Sequence, residues 1–480
     1  MTTTEYGWRK RIGLVAGPAL FALVLLLPPP AGLAESGWRT AAVALWMAAW
    51  WIGEPIPLPA TSLLPLALFP LLGTGSIEES AAPYADPLVF LFLGGFLIAL
   101  AMERWGLHRR VALRIIRAVG TRPRRIVAGF MGSAAFISMW VSNTATTLLL
   151  LPIGLSVAAL AGTGEEGQRD PAFAPALLIG IAFAASLGGL GTLIGTPPNA
   201  LTAAFLEETY GVEIGFARWL LVGLPFLVVA LPFAYLLLTR WVLPIRLETL
   251  PGGRDLIEGE LERLGAVTRG ERWVAAVFLL AAVLWTTSPL LEGRVPGLSD
   301  AGIAVGAGLL LFVLPVDLRR GLFVLEWRWA ERLPWGVLLL FGGGLSLASA
   351  IDRSGLAEWM AGRFAGLAEW PLLLLLAAIT VVVILFSELA SNTATAAAFL
   401  PVVGALAVSA GIDPVLLVVP AGLAASGGFM LPVATPPNAI VYGTGRISVP
   451  QLARAGVLLD LLFVILVPIV GALLVPRILG

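Results

Sequence analysis

Cysteine is absent from all 480 residues, and histidine occurs once, at His108. These absences exclude disulfides, thiol chemistry and any His/Cys metal cluster. Charge is scarce too: Asp, Glu, Lys and Arg make up 12% of the chain, against about 25% in soluble domains. The formal net charge is zero, which gives no footprint for nucleic acid. The longest polar stretch, Arg246–Arg272, is only long enough for a connecting helix or loop. No soluble domain and no catalytic constellation is visible, so a receptor or an enzyme is disfavoured. What the chain has is apolar surface: 58% hydrophobic residues and a mean hydropathy of +0.93. It reads as an all-α polytopic membrane protein.

Runs able to cross about 30 Å of hydrocarbon fall near 12–34, 38–53, 56–73, 84–102, 171–207, 216–238, 273–289, 300–316, 333–351, 413–443 and 455–477. The first follows Trp8-Arg9-Lys10-Arg11, and Gly32-Leu33-Ala34 resembles a signal-peptidase site. An uncleaved first helix is the favoured reading. Two further apolar regions, 124–161 and 372–410, are each interrupted by the same pentapeptide, SNTAT, at Ser142 and again at Ser391.

Each interrupted region is either one crossing helix with trailing structure or a re-entrant hairpin. Basic residues decide between them. With two hairpins, eleven crossing helices and a cytoplasmic N-terminus, only Arg39, Arg218, Arg294, Arg353, Arg363 and Arg477 of the 30 basic residues lie outside. That bias is the one the positive-inside rule expects. A single crossing at the first SNTAT would instead expose Arg240–Arg272. The reading therefore predicts a plasma (inner) membrane protein with its C-terminus extracytoplasmic. The charged segments Trp105–Val119 and Gly355–Leu367 read as interfacial arms, with His108 as a surface residue. Trp46, Trp50 and Trp51 read as interfacial anchors.

The SNTAT offset of 249 residues extends further. "LFLGGFLIALAMERWGL" (91–107) aligns with "LFGGGLSLASAIDRSGL" (340–356), and Ser138 falls on Ser387. "GTPPNAL" (195–201) matches "ATPPNAI" (434–440) at a shift of 239, the difference being the polar loop Ala161–Asp170. An odd number of crossings separates the copies, so the halves point in opposite directions. Inverted repeats of this kind are a signature of secondary transporters.

Backbone that is not helical at membrane depth persists only against protein or a wet cavity. Ser142-Asn143-Thr144 and Ser391-Asn392-Thr393 suit hairpin tips, where their side chains cap the following helix. The bland alternative is that each triplet is no more than a turn and a cap. Thr196 and Thr435 fit N-caps, with two prolines opening the helix after each. "SLGGLGTLIG" (186–195) and "SGGFMLPVA" (426–434) predict unwinding just before. Each half thus offers a tip beside a break. Free helix N-termini suit an anion, and Ser, Asn, Thr and carbonyl oxygens suit a small hard cation. None of the four motifs contains Arg or Lys. Glu388, just before the second tip, and Asp460, in the last span, are intramembrane carboxylates and hence functional candidates. Glu388 reads equally well as a group that holds the tip.

The string "ASGGFMLPVATPPNAIV" (425–441), the doubled SNT triplets and "LFLGGFLIALAMERWGLHRR" resemble the divalent anion–sodium symporter family along nearly the whole chain. The resemblance implies a homodimer in lipid, needing no cofactor beyond Na+ as coupling ion. It implies scaffold segments 1–122 and 246–371, and transport segments 123–245 and 372–480 that move like an elevator. Sodium ligands implied by motif position are Ser138, Ser142, Asn143 and Gly195, then Ser387, Asn392 and Ala434. Substrate contacts implied are Asn143, Thr144, Thr196, Asn392, Thr393, Thr435 and Pro436. The implied activity is sodium-coupled symport of C4-dicarboxylates. Sulfate or tricarboxylate symport and sodium-independent exchange are the family alternatives, and an anion channel is the rival outside it.

Overall fold

The computed structural model describes residues 7–120, 122–160, 170–250, 252–291, 294–363, 366 and 370–479. Most of the polar loop Ala161–Asp170, including Arg169, lies outside them, as does the end of the second arm. Among the described residues the regular structure is helical apart from a small antiparallel pair, Pro315–Asp317 with Leu322–Phe323. Among the described residues, 8 helices are long and apolar enough to cross a membrane. Shorter apolar helices include Phe173–Gly189, Asp300–Val313 and Pro414–Ala425.

Neither SNTAT lies within a continuous helix. Pro123–Ser138 is followed by Asn143–Leu160, and Leu372–Leu389 by Asn392–Ser409. The two TPPN regions break as well: Phe173–Gly189 gives way to Pro197–Tyr210, and Pro414–Ala425 to Pro436–Tyr442. Region 56–73 is split into Leu58–Thr61 and Leu64–Leu72, because Pro65 has no N–H to continue the first helix.

Glycine sets the closest approaches. A Cβ on Gly188 would stand 2.3 Å from the carbonyl oxygen of Ala135, so the first hairpin and its broken helix touch backbone to backbone. The halves also interlock. The second-half helix Pro436–Tyr442 packs on Asn143–Leu160 and Phe173–Gly189, while Pro197–Tyr210 packs on Asn392–Ser409 and Pro414–Ala425. Each broken-helix end is thereby seated on the other half's hairpin.

The first arm, Leu107–Val119, is amphipathic and pinned from below. Buried Arg110 donates from Nε to Glu271 at 2.6 Å and from its Nη atoms to the carbonyls of Gly265 (2.9 Å) and Leu264 (3.2 Å). His108 is not a surface residue. It is buried, with Nδ1 at 2.9 Å from the Met102 carbonyl, and burial pushes its imidazole below the ordinary value. Trp51 is not an anchor either, because it is fully buried and donates to Ser62 at 3.3 Å. Trp46 and Trp50 pack edge to face at 5.2 Å, against the first helix at Gly17.

Candidate functional site: two tips and two helix breaks

The two tips are built alike. Ser138 Oγ donates to Asn143 Oδ1 at 2.7 Å, and Ser387 Oγ donates to Asn392 Oδ1 at 2.8 Å. Each bond reaches from the last turn of the entering helix to the first residue of the leaving one, so it closes the turn that SNT opens. Ser142 Oγ accepts from the Ala145 N–H at 3.2 Å, a helix cap of the usual kind. Ser391 occupies the same position without a side-chain cap bond.

The breaks are also built alike, by residues whose role the sequence reading missed. The Asn of each TPPN clasps the unwound carbonyls ahead of it. Asn199 Nδ2 donates to Gly189 O at 2.9 Å and Thr192 O at 2.7 Å. Asn438 Nδ2 donates to Phe429 O at 3.3 Å and Leu431 O at 3.2 Å. Unwound carbonyls deep inside a membrane protein need such donors. The only available signal was that Asn recurs after both proline pairs. Thr196 and Thr435 hold the N-cap positions as expected, but only Thr435 accepts a cap bond, from the Asn438 N–H at 3.3 Å.

Tip and break are tied together in each half, by reciprocal chemistry at equivalent positions. In the first half, Thr192 Oγ1 donates to the Met139 carbonyl. In the second, Glu388 stands where Met139 did, and its carboxylate accepts from the N–H groups of Met430 (2.7 Å) and Leu431 (2.9 Å). Glu388 therefore holds the second tip to its helix break. Asp460 is buried beside Glu388 and the Phe429 backbone.

Both tips and both breaks line one cavity of about 980 Å³. Its walls include Ser142, Asn143, Thr144, Gly195 and Thr196 from the first half, and Asn392, Thr393, Ala434, Thr435 and Pro436 from the second. Ser138 and Ser387 lie behind the tips, fully buried, and reach this space through their asparagines. The expected residues are thus brought together. Asn143 also touches its own break: a Cβ on Gly189 would lie 2.7 Å from Asn143 Oδ1 and 3.1 Å from Thr196 Cβ. The tip groups are all neutral oxygens and amides. That donor set fits a weakly held monovalent cation and disfavours a transition metal.

Comparison with known proteins gives the family. Residues 8–478 match the family described as "Sodium:sulfate symporter transmembrane region". The sodium-dependent dicarboxylate transporter SdcS of Staphylococcus saprophyticus is 43% identical over 484 residues, covering 99% of this chain and 93% of its own. SdcS of Staphylococcus aureus strain USA300 is 41% identical over 477 residues, covering 98% and 92%. Among solved structures, the Alcanivorax borkumensis YdaH transporter superposes with a TM-score of 0.61 at 15% identity, covering 91% of this chain and 98% of that one. Neisseria gonorrhoeae MtrF gives 0.61 at 14%, covering 99% and 96%. These two likenesses bear on the fold alone. The match spans almost the whole chain, both SNT triplets included, and the chain belongs to the sodium:sulfate symporter family, the divalent anion–sodium symporters.

Proposed function

We propose that this protein is a sodium-coupled symporter of C4-dicarboxylates. The observation that carries the reading is the pair of Ser–Asn-closed tips facing a single cavity. One sodium ion is held by Ser138, Ser142, Asn143 and the Gly195 carbonyl, and another by Ser387, Asn392 and the Ala434 carbonyl. Between them, one carboxylate of the solute meets Asn143, Thr144 and Thr196, and the other meets Asn392, Thr393, Thr435 and Pro436. The helices beginning at Asn143, Pro197 and Asn392 add partial positive charge at their N-termini. With no cationic side chain at the tips, a dianion is stable there only beside bound cations, and that dependence is the coupling.

The two SNT regions are re-entrant hairpins, within a frame of eleven crossing helices. Segments 123–245 and 372–480 travel together against 1–122 and 246–371, within a homodimer. Their interlocked helix ends support movement as one body. The cavity mouth carries Glu54, Glu103 and Arg332, on the side to which the basic residues assign the cytoplasm. The conformation is therefore inward-open, with the N-terminus cytoplasmic and the C-terminus outside. Relatives at 41–43% identity named as dicarboxylate transporters favour that substrate. Sulfate is the second reading, favoured by the family description.

Proteoliposomes with an inward sodium gradient should concentrate labelled succinate or malate, and potassium should not replace sodium. Excess succinate should compete with the label far better than excess sulfate or citrate. Uptake that is equal in potassium would reject the coupling.

A further inference from the structure

The cavity extends past the tips to a mouth with its own chemistry. Among its described lining residues, Arg332 is the one basic side chain. It does not point freely into water. Its Nη2 lies 3.1 Å from Glu103 Oε1, and its guanidinium sits 4.6 Å from the Trp329 ring centre. Neighbouring Arg104 lies over the same ring, 5.7 Å from the Trp329 centre, but its donors are taken up by Glu326 at 2.5 Å and the Val324 carbonyl at 3.3 Å. The Arg332 and Glu103 side chains remain 55% and 36% exposed. An ion pair so exposed is weak and exchanges readily. Trp329 meanwhile holds the guanidinium in place by cation–π contact, and a guanidinium offers a fork of N–H donors to another carboxylate.

We propose that Arg332 is a second, peripheral binding point for the transported dianion, at the cavity mouth, with Glu103 as its resident competitor. This rests on the transport reading above. A solute carboxylate is chemically equivalent to that of Glu103 and replaces it on the guanidinium. The exchange gives the dianion its first cationic contact before it reaches the neutral tips. Arg332 lies in segment 246–371, outside the moving body, so this contact serves one face of the membrane only.

Two variants separate this role from a purely structural ion pair. If the pair only fastens Glu103 to the Trp329–Arg332 segment, R332Q and E103Q impair transport in the same direction. If Arg332 binds solute, they act oppositely. R332Q should raise the half-saturating succinate concentration about three- to tenfold, and E103Q should lower it about two- to threefold. Both effects should shrink when salt shortens the Debye length to about 8 Å or less. Monodispersity and melting in detergent, compared among wild type, R332Q and R332K, report folding.

Since the chain has no cysteine, Leu58→Cys at the cavity lining lets an impermeant thiol reagent silence transporters whose mouth faces outward. The two faces can then be measured separately, and the shifts should appear on the mouth face alone. Changes of the same sign, no change, or equal changes on both faces in an active protein would overturn the proposal. A wild type without sodium-driven dicarboxylate uptake would instead defeat the transport reading.

Discussion

Gly195→Ala isolates the sodium site better than any polar substitution, because it removes no ligand atom. Gly195 lies at the end of the first unwound stretch, and its carbonyl is a proposed sodium ligand. A Cβ there would stand 2.4 Å from the Gly189 carbonyl oxygen and 2.9 Å from Gly189 Cα, about 1 Å inside ordinary contact. Both atoms are backbone, so no rotamer change can relieve the clash and the unwound loop must open. Overpacking of this kind costs about 1–3 kcal/mol. At about 1.4 kcal/mol per tenfold, a displaced Gly195 carbonyl weakens sodium binding by about 5- to 150-fold. The equivalent residue in the second half is Ala434, buried with its Cβ already accommodated. The expected result is a steep rise in half-activating sodium for succinate uptake in Gly195→Ala, and little change in Ala434→Gly. Gly132→Ala is the matched control, since a Cβ there meets nothing within 4 Å. Wild-type sodium activation in Gly195→Ala would refute the assignment of the first sodium site to this helix break.

Asn143→Asp and Asn392→Asp should each cut transport at least tenfold, because each tip faces both cation and dianion; uptake near the wild-type rate in either variant counts against the shared tips. Glu388→Ala leaves the Met430 and Leu431 N–H groups without their acceptor, at about 1–3 kcal/mol for each such buried group. Glu388→Gln keeps one acceptor oxygen, so melting in detergent should fall markedly for Ala and less for Gln. Arg110→Ala strands Glu271 in the protein interior and should destabilise by about 3–5 kcal/mol. That loss should be visible as poor recovery of monodisperse protein, with sodium affinity unchanged in what survives.

Much of the site was legible because it is written twice. SNTAT marks two tips, TPPN marks two breaks, and in each half the tip and the break meet. What stayed hidden depends on partners distant in sequence. Asn199 and Asn438 carry no role in the sequence beyond following each proline pair, and only the fold shows them clasping carbonyls up to ten residues back. Glu388 is, from sequence, either a functional carboxylate or a tip support; its bonds to Met430 and Leu431, where the first half uses Thr192 and Met139, make it a tether. His108 read as a surface residue because its arm is basic, yet amphipathic packing turns it inward to Met102. The split of region 56–73 was available from its prolines, which hydropathy alone overrides.

On this reading two oppositely oriented halves assemble one cradle from their tips and breaks. Cryo-electron microscopy of the protein in lipid nanodiscs, with saturating sodium and succinate, tests it most directly. Solute density should bridge Asn143–Thr144 and Asn392–Thr393, flanked by one ion near Gly195 and another near Ala434. Solute density lodged away from either SNT tip, with both tips resolved and empty, would contradict it.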